Sequence, residues 1–192
     1  MTVDYTPTPS QTVGPFFMIG LTGPCLISHI AAPGVPGQRV KLICTVFAGE
    51  DQPVNDALIE IWQANAEGKY NHPDDTQDKP VDPSFLGFGR QGTDDAGVCV
   101  FHTIKPGRVP ANDGTLQAPH LVVGVFARGV LRHLPTRIYF AGDPANDSDP
   151  VLALVPAHRR ATLLAQPVPG EPATWRFDVH LNGDRETVFF DI

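Results

Sequence analysis

His120-Leu121-Val122-Val123-Gly124-Val125-Phe126-Ala127-Arg128 decides the class of fold for this chain. On a period of two, His120, Val122, Gly124, Phe126 and Arg128 share one face, and Leu121, Val123, Val125 and Ala127 share the other. The second face is entirely apolar and the first largely so, which calls for a strand covered on both sides. Arg128 closes the run ahead of Gly129, so its guanidinium has to reach solvent or a fixed anionic partner.

Working outward, Arg39–Ala48, Ala57–Ala64 and Val98–Ile104 read as strands before it. Arg137–Ala141, Thr174–Leu181 and Glu186–Ile192 read as strands after it, the last two joined by an Asn182-Gly183 hairpin signal. Within Ala57–Ala64, Leu58, Glu60 and Trp62 fall on one face and Ala57, Ile59, Ile61 and Gln63 on the other. Asp149-Pro150 and the apolar residues after it suggest a short helix with Pro150 in a permitted first-turn position, and His158–Gln166 suggests a second. Residues 66–97 carry Pro73, Pro80 and Pro83 without a clear period, the mark of a functional or interface loop. Trp62 and Trp175 sit inside strand patterns and are expected in the core. Seven or eight strands with few helices predict an all-β fold, an antiparallel β-sandwich with long loops and one or two short helices.

The N-terminus follows other rules. Pro7, Pro9 and Pro15 exclude a regular helix through most of residues 1–20. Phe16, Phe17, Met18 and Ile19 are nevertheless too apolar for a free tail and are expected to pack against something. Residues 1–30 therefore read as an N-terminal arm and residues 31–192 as the sandwich domain.

Composition narrows the function. A chain of 192 residues suits one domain or at most two, and a charged fraction of only 18% favours much buried surface, part of it against a partner. A net charge of −7 with no basic stripe excludes nucleic-acid binding by phosphate neutralisation. No apolar run is long enough to span a membrane, and no basic head precedes an apolar leader. Three cysteines cannot all pair within one chain, so a cytoplasmic location is expected.

Three segments carry a family resemblance. They are Leu58-Ile59-Glu60-Ile61-Trp62-Gln63-Ala64-Asn65-Ala66-Glu67-Gly68-Lys69-Tyr70, then Thr103-Ile104-Lys105-Pro106-Gly107, then Ala118-Pro119-His120. In that order and spacing they closely resemble the intradiol ring-cleaving dioxygenases, which hold non-haem ferric iron with two tyrosines and two histidines. The four ligand positions of that family fall here on Tyr70, Val109, His120 and Val122. Valine offers a metal no lone pair, so one phenol and one imidazole stand where four donors are needed. The histidines at 29, 72, 102, 120, 133, 158 and 180 include no pair two, three or four residues apart, and the cysteines form no CxxC, so no replacement site is evident. Tyr70, Val109, His120 and Val122 are therefore read as vestigial positions, and this chain is expected to bind no cofactor.

The resemblance is strongest to a branch of the family that pairs an iron-free alpha chain with a homologous iron-bearing beta chain. Ser10–Phe17, Leu121–Gly129 and Glu186–Ile192 resemble its N-terminal arm, pocket strand and terminal strand. It implies a bacterial enzyme built as a higher-order multimer of alpha–beta units, with Fe(III) in the beta chain and with O2 and a small aromatic acid, 3,4-dihydroxybenzoate, as substrates. It also implies that Gly14, Pro15 and Arg128 line the substrate pocket of the beta chain, with the arm of residues 1–30 contacting that partner. An arginine beside a carboxylated catechol is chemically sensible, because a charge-assisted contact favours the anion. Two alternatives remain open on sequence: a self-sufficient dioxygenase with an unusual iron shell, and a ligand-binding β-sandwich that is not an enzyme.

Overall fold

The structure, a computed structural model, describes residues 8–191. Residues 1–7 of the arm, Pro7 among them, and Ile192 lie outside the described residues. Among the described residues eight strands form in chain order: β1 (Arg39–Phe47), β2 (Leu58–Trp62), β3 (Phe88–Gly92), β4 (Val98–Ile104), β5 (His120–Phe126), β6 (Leu134–Phe140), β7 (Leu164–Pro167) and β8 (Thr174–His180). Two short helices accompany them, α1 (Pro15–Leu21) and α2 (Pro150–Leu154). The strands hydrogen-bond in the order β3-β2-β5-β6-β7-β8-β1-β4. The fold is all-β, as expected.

The β3-β2-β5-β6 half lies over the β8-β1-β4 half, with β7 joining them. Ile59, Ile61, Leu121, Val123 and Val125 from the first half share one core with Leu42, Val46, Phe101 and Phe177 from the second. These are the faces that the alternation of β2 and β5 picks out. Burying each such side chain contributes about 1.5–3 kcal/mol, which makes this layer the main stabilising element. Across the outer face of β6, Tyr139 packs in a smaller core with Ala118, Leu152, Val155 and Leu163, so α2 and the turn after it cover that face.

Five of the seven neighbouring strand pairs are antiparallel; β1 with β8 and β6 with β7 are parallel. Alternation within one strand carries no information about the direction of its neighbour, so this feature is visible only in the fold.

Local expectations are corrected at several places. Pro15 begins α1 rather than barring it, since a proline at the first helical position gives up only an N–H that has no partner there. The 66–97 excursion contains β3, whose Phe-Gly-Arg-Gln-Gly sequence shows no apolar alternation but pairs with β2 through its backbone. The second expected helix is a 3-10 turn (Ala157–Leu163) followed by β7. Residues 186–191 form no strand. There the Thr187 N–H donates to the His180 carbonyl, but the return bond from the His180 N–H goes to the Thr187 hydroxyl, and a side chain in place of a carbonyl ends the ladder.

Candidate functional site

The turn at Lys105-Pro106-Gly107 is pinned by backbone contact. A Cβ on Gly107 would stand 2.4 Å from the Ala66 carbonyl oxygen and 2.6 Å from the Gly68 nitrogen, so only glycine fits. The Gly107 N–H donates to the Asn65 carbonyl at 2.8 Å, while the Asn65 side chain accepts from the Glu67 and Lys69 N–H groups at 3.0 Å. These bonds set Val109, just after the turn, beside Tyr70. The two line a cleft of about 460 Å³ with Trp62, His72 and Asp75. Tyr70 stacks on Trp62 with ring centroids 5.7 Å apart and planes 12° from parallel, and its N–H donates to Asp75 at 2.8 Å. Burial raises the pKa of its phenol, with Arg137 acting against that shift and Asp75 adding to it.

His120 and Val122 lie on the same face of β5. His120 is buried at 3% exposure, its ring tilted against Tyr139 with centroids 5.7 Å apart. Its Nδ1 lies 2.7 Å from the Ala118 carbonyl oxygen; a carbonyl can only accept, so Nδ1 carries the proton. Burial first, and the Arg137 charge second, lower the His120 pKa to about 4, leaving a neutral imidazole at neutral pH. Val122 lines a neighbouring groove and sits in register with Trp62 on one side and Arg137 on the other. Trp62 is half-buried and forms a wall of both the cleft and the groove rather than part of the core. The structure thus gathers Tyr70, Val109, His120 and Val122 around Trp62 and Arg137.

This donor set does not fit ferric iron. Val109 and Val122 supply no donor atom. Arg137, whose guanidinium donates to the Gln117 side-chain oxygen at 2.7 Å and reaches the Tyr139 hydroxyl at 3.4 Å, adds a fixed positive charge against a cation. Asp149 closes the network. Its carboxylate accepts from the Tyr139 hydroxyl, from the N–H groups of Val151 and Leu152 at the start of α2, and from the Ala118 N–H.

Arg128 stands elsewhere. His120 to Phe126 spans about 20 Å at a strand's rise per residue, and Arg128 lies beyond that, at the opposite end of β5 from His120. Its exposed guanidinium forms an ion pair with Asp56. The next residue, Gly129, donates its N–H to the Thr12 hydroxyl at 2.7 Å, and Phe17 of α1 contacts Phe126 at a centroid distance of 5.2 Å. The arm that carries Gly14 and Pro15 is thereby fastened to the end of β5. The outward residues Phe16 and Ile19 remain 85% and 71% exposed on this chain.

The family model described as Dioxygenase matches residues 29–183. This chain belongs to the intradiol ring-cleavage dioxygenases. Within that family it is 44% identical to the protocatechuate 3,4-dioxygenase alpha chain of Burkholderia cepacia, over 96% of this chain and 97% of that one. It is 36% identical to the protocatechuate 3,4-dioxygenase beta chain of the same organism, over 77% of this chain and 66% of that one. Among solved structures, the dioxygenase domain of a dioxygenase–carbohydrate-binding fusion from Streptomyces sp. SirexAA-E superimposes with a TM-score of 0.63 at 26% identity, covering 95% of this chain and all of that one.

Sequence reasoning missed Arg137, Asp149 and Asp56 as members of these sites of the intradiol dioxygenase fold. Arg137 and Tyr139 do share a face in any strand that includes both, a signal that was available. Asp149 was visible only as a helix cap, and Asp56 gave no signal until the strand register was known. Among the described residues no helix is long and apolar enough to cross a membrane.

Proposed function

We propose that this chain is the iron-free alpha subunit of a bacterial, cytoplasmic protocatechuate 3,4-dioxygenase. Its partner is a homologous beta chain that holds Fe(III), and alpha–beta pairs assemble into a higher-order multimer. The complex inserts both atoms of O2 into 3,4-dihydroxybenzoate to give 3-carboxy-cis,cis-muconate, a step of the β-ketoadipate route of aromatic degradation. Iron in the beta chain supplies the oxygen chemistry; this chain supplies binding, orientation and exclusion of water.

One observation carries the reading: Arg128 lies at the far end of β5 from Tyr70, Val109, His120 and Val122. An arginine so placed cannot serve this chain's own vestigial positions, yet it stands exposed at the end of β5 to which Thr12 of the arm is fastened through Gly129. That placement suits a wall lent to another subunit. Arg128 binds the substrate carboxylate, while Gly14 permits close approach and Pro15 stiffens the arm. The apolar residues Phe16 and Ile19 dock on the partner, which accounts for their exposure here.

Arg128→Ala in the alpha–beta complex tests this. Losing one charge-assisted contact is expected to weaken substrate binding by about 1–3 kcal/mol, seen as a higher KM for 3,4-dihydroxybenzoate. Unchanged kinetics would remove Arg128 from the site.

A further inference from the structure

Leu58 of β2 faces Phe126 of β5 in an antiparallel register, so the positions two residues beyond each strand end are Asp56 and Arg128. Both lie in turns beyond the ladder, Asp56 before β2 and Arg128 after β5, and their side chains meet there as a charge pair. The contact runs from the Arg128 Nε to the Asp56 Oδ2. An ion-paired guanidinium has five N–H donors in a planar fork, more than one carboxylate uses, so it can hold a second carboxylate as well.

The two partners differ in rigidity. The backbone on both sides of Asp56 is fixed: the Val54 N–H donates to the Val46 carbonyl at 2.9 Å, and the Ala57 N–H donates to the Thr93 hydroxyl at 3.0 Å, itself bonded to the Val54 carbonyl at 2.7 Å. Both residues lie on turns, but the Asp56 side chain is 25% exposed and that of Arg128 75%. Asp56 is thus the fixed member and Arg128 the one held.

We propose that Asp56 is a positioning residue: its ion pair with Arg128 holds the guanidinium where it meets the carboxylate of the aromatic substrate. This rests on the reading of Arg128 given above. Two effects of Asp56 oppose each other. Its grip removes the rotamer freedom that an unheld arginine gives up on binding, and its charge repels the substrate carboxylate. Asp56→Asn keeps an acceptor of the same reach and removes the charge, whereas Asp56→Ala removes both.

Steady-state kinetics of the alpha–beta complex separate these cases. Asp56→Ala is expected to raise KM for 3,4-dihydroxybenzoate about 3- to 10-fold at unchanged kcat, the scale of one long side chain left unordered. Asp56→Asn is expected to stay within about twofold of the parent, because ordering survives while the repulsion is relieved. Neither change should alter kinetics with unsubstituted catechol, which has no carboxylate. In an Arg128→Ala background Asp56→Ala should have no further effect, a result that a merely structural role would not give. If the alanine variant does not assemble, Asp56→Ser, too short to reach the guanidinium, takes its place. A raised KM in Arg128→Ala with no change in Asp56→Ala overturns the positioning role and leaves the reading of Arg128 intact. Equal rises in the alanine and asparagine variants, or equal effects on catechol, overturn it too. No effect from either Arg128→Ala or Asp56→Ala overturns both.

Discussion

Arg137 stands directly across from Val122 in the register of β5 and β6, on the face that also carries His120. A permanent cation therefore faces one of the two positions where a metal ligand is lacking. Two unit charges 4 Å apart repel by about 4 kcal/mol at the effective dielectric of a protein surface, and a ferric ion carries three charges. The vestigial positions have thus lost donors and also hold a group that opposes a metal.

Restoring donors alone is therefore expected to fail. A Val109→Tyr, Val122→His double variant should gain little iron, and adding Arg137→Gln should increase uptake severalfold. Metal analysis after incubation with ferric salt and desalting checks this; equal iron with and without Arg137 would show that its charge does not matter.

Acid stability should depend on His120. Its folded pKa of about 4 lies below the ordinary value near 6.5, because burial and the Arg137 charge disfavour the imidazolium, while the hydrogen bond to the Ala118 carbonyl and, after it, the Asp149 charge only partly offset them. The unfolded chain thus binds the proton more readily between these values. Stability contributed by neutral His120 is complete above about pH 6.5 and is lost as pH falls toward 4, by roughly 3 kcal/mol in all. Urea denaturation across that range should show a shallower acid limb for His120→Gln. The same limb in both proteins would place the loss on other groups.

Asp149 is expected to be the most sensitive polar position in the smaller core. It accepts four hydrogen bonds, from Ala118, Tyr139, Val151 and Leu152. Asp149→Ala removes a helix cap, about 1 kcal/mol, and leaves buried donors unpaired at about 1–3 kcal/mol more. A melting temperature unchanged by Asp149→Ala would contradict the assignment, and Asp149→Asn should cost less because one acceptor oxygen remains.

Thr12→Val should loosen the arm without unfolding the sandwich. It removes the acceptor for the Gly129 N–H, a bond contributing about 1 kcal/mol. In the complex this should raise KM up to about fivefold at unchanged kcat; identical kinetics would show that the arm is seated by its partner alone.

What the sequence disclosed follows from physics. In β2 and β5 the inner faces were visible because Ile59, Ile61, Leu121, Val123 and Val125 alternate without interruption. β3 stayed hidden because its residues form a strand through backbone pairing with β2, not through an apolar face. The tail at 186–191 misled because Val188 and Phe190 do pack, against the smaller core, yet make no ladder. Around the site, Tyr70, Val109, His120 and Val122 were recognisable from motif spacing. The part played by Arg137 depends on the β5–β6 register, and the pairing of Asp56 with Arg128 on the β2–β5 register, neither of which one strand encodes by itself.

The central claim is that this chain shapes a pocket whose iron belongs to another subunit. Iron counted per alpha–beta pair in the purified, active complex tests it most directly. The account predicts one iron for each pair, lost entirely when the ligands of the beta chain are replaced. Two irons per pair, or iron retained after those replacements, would contradict it.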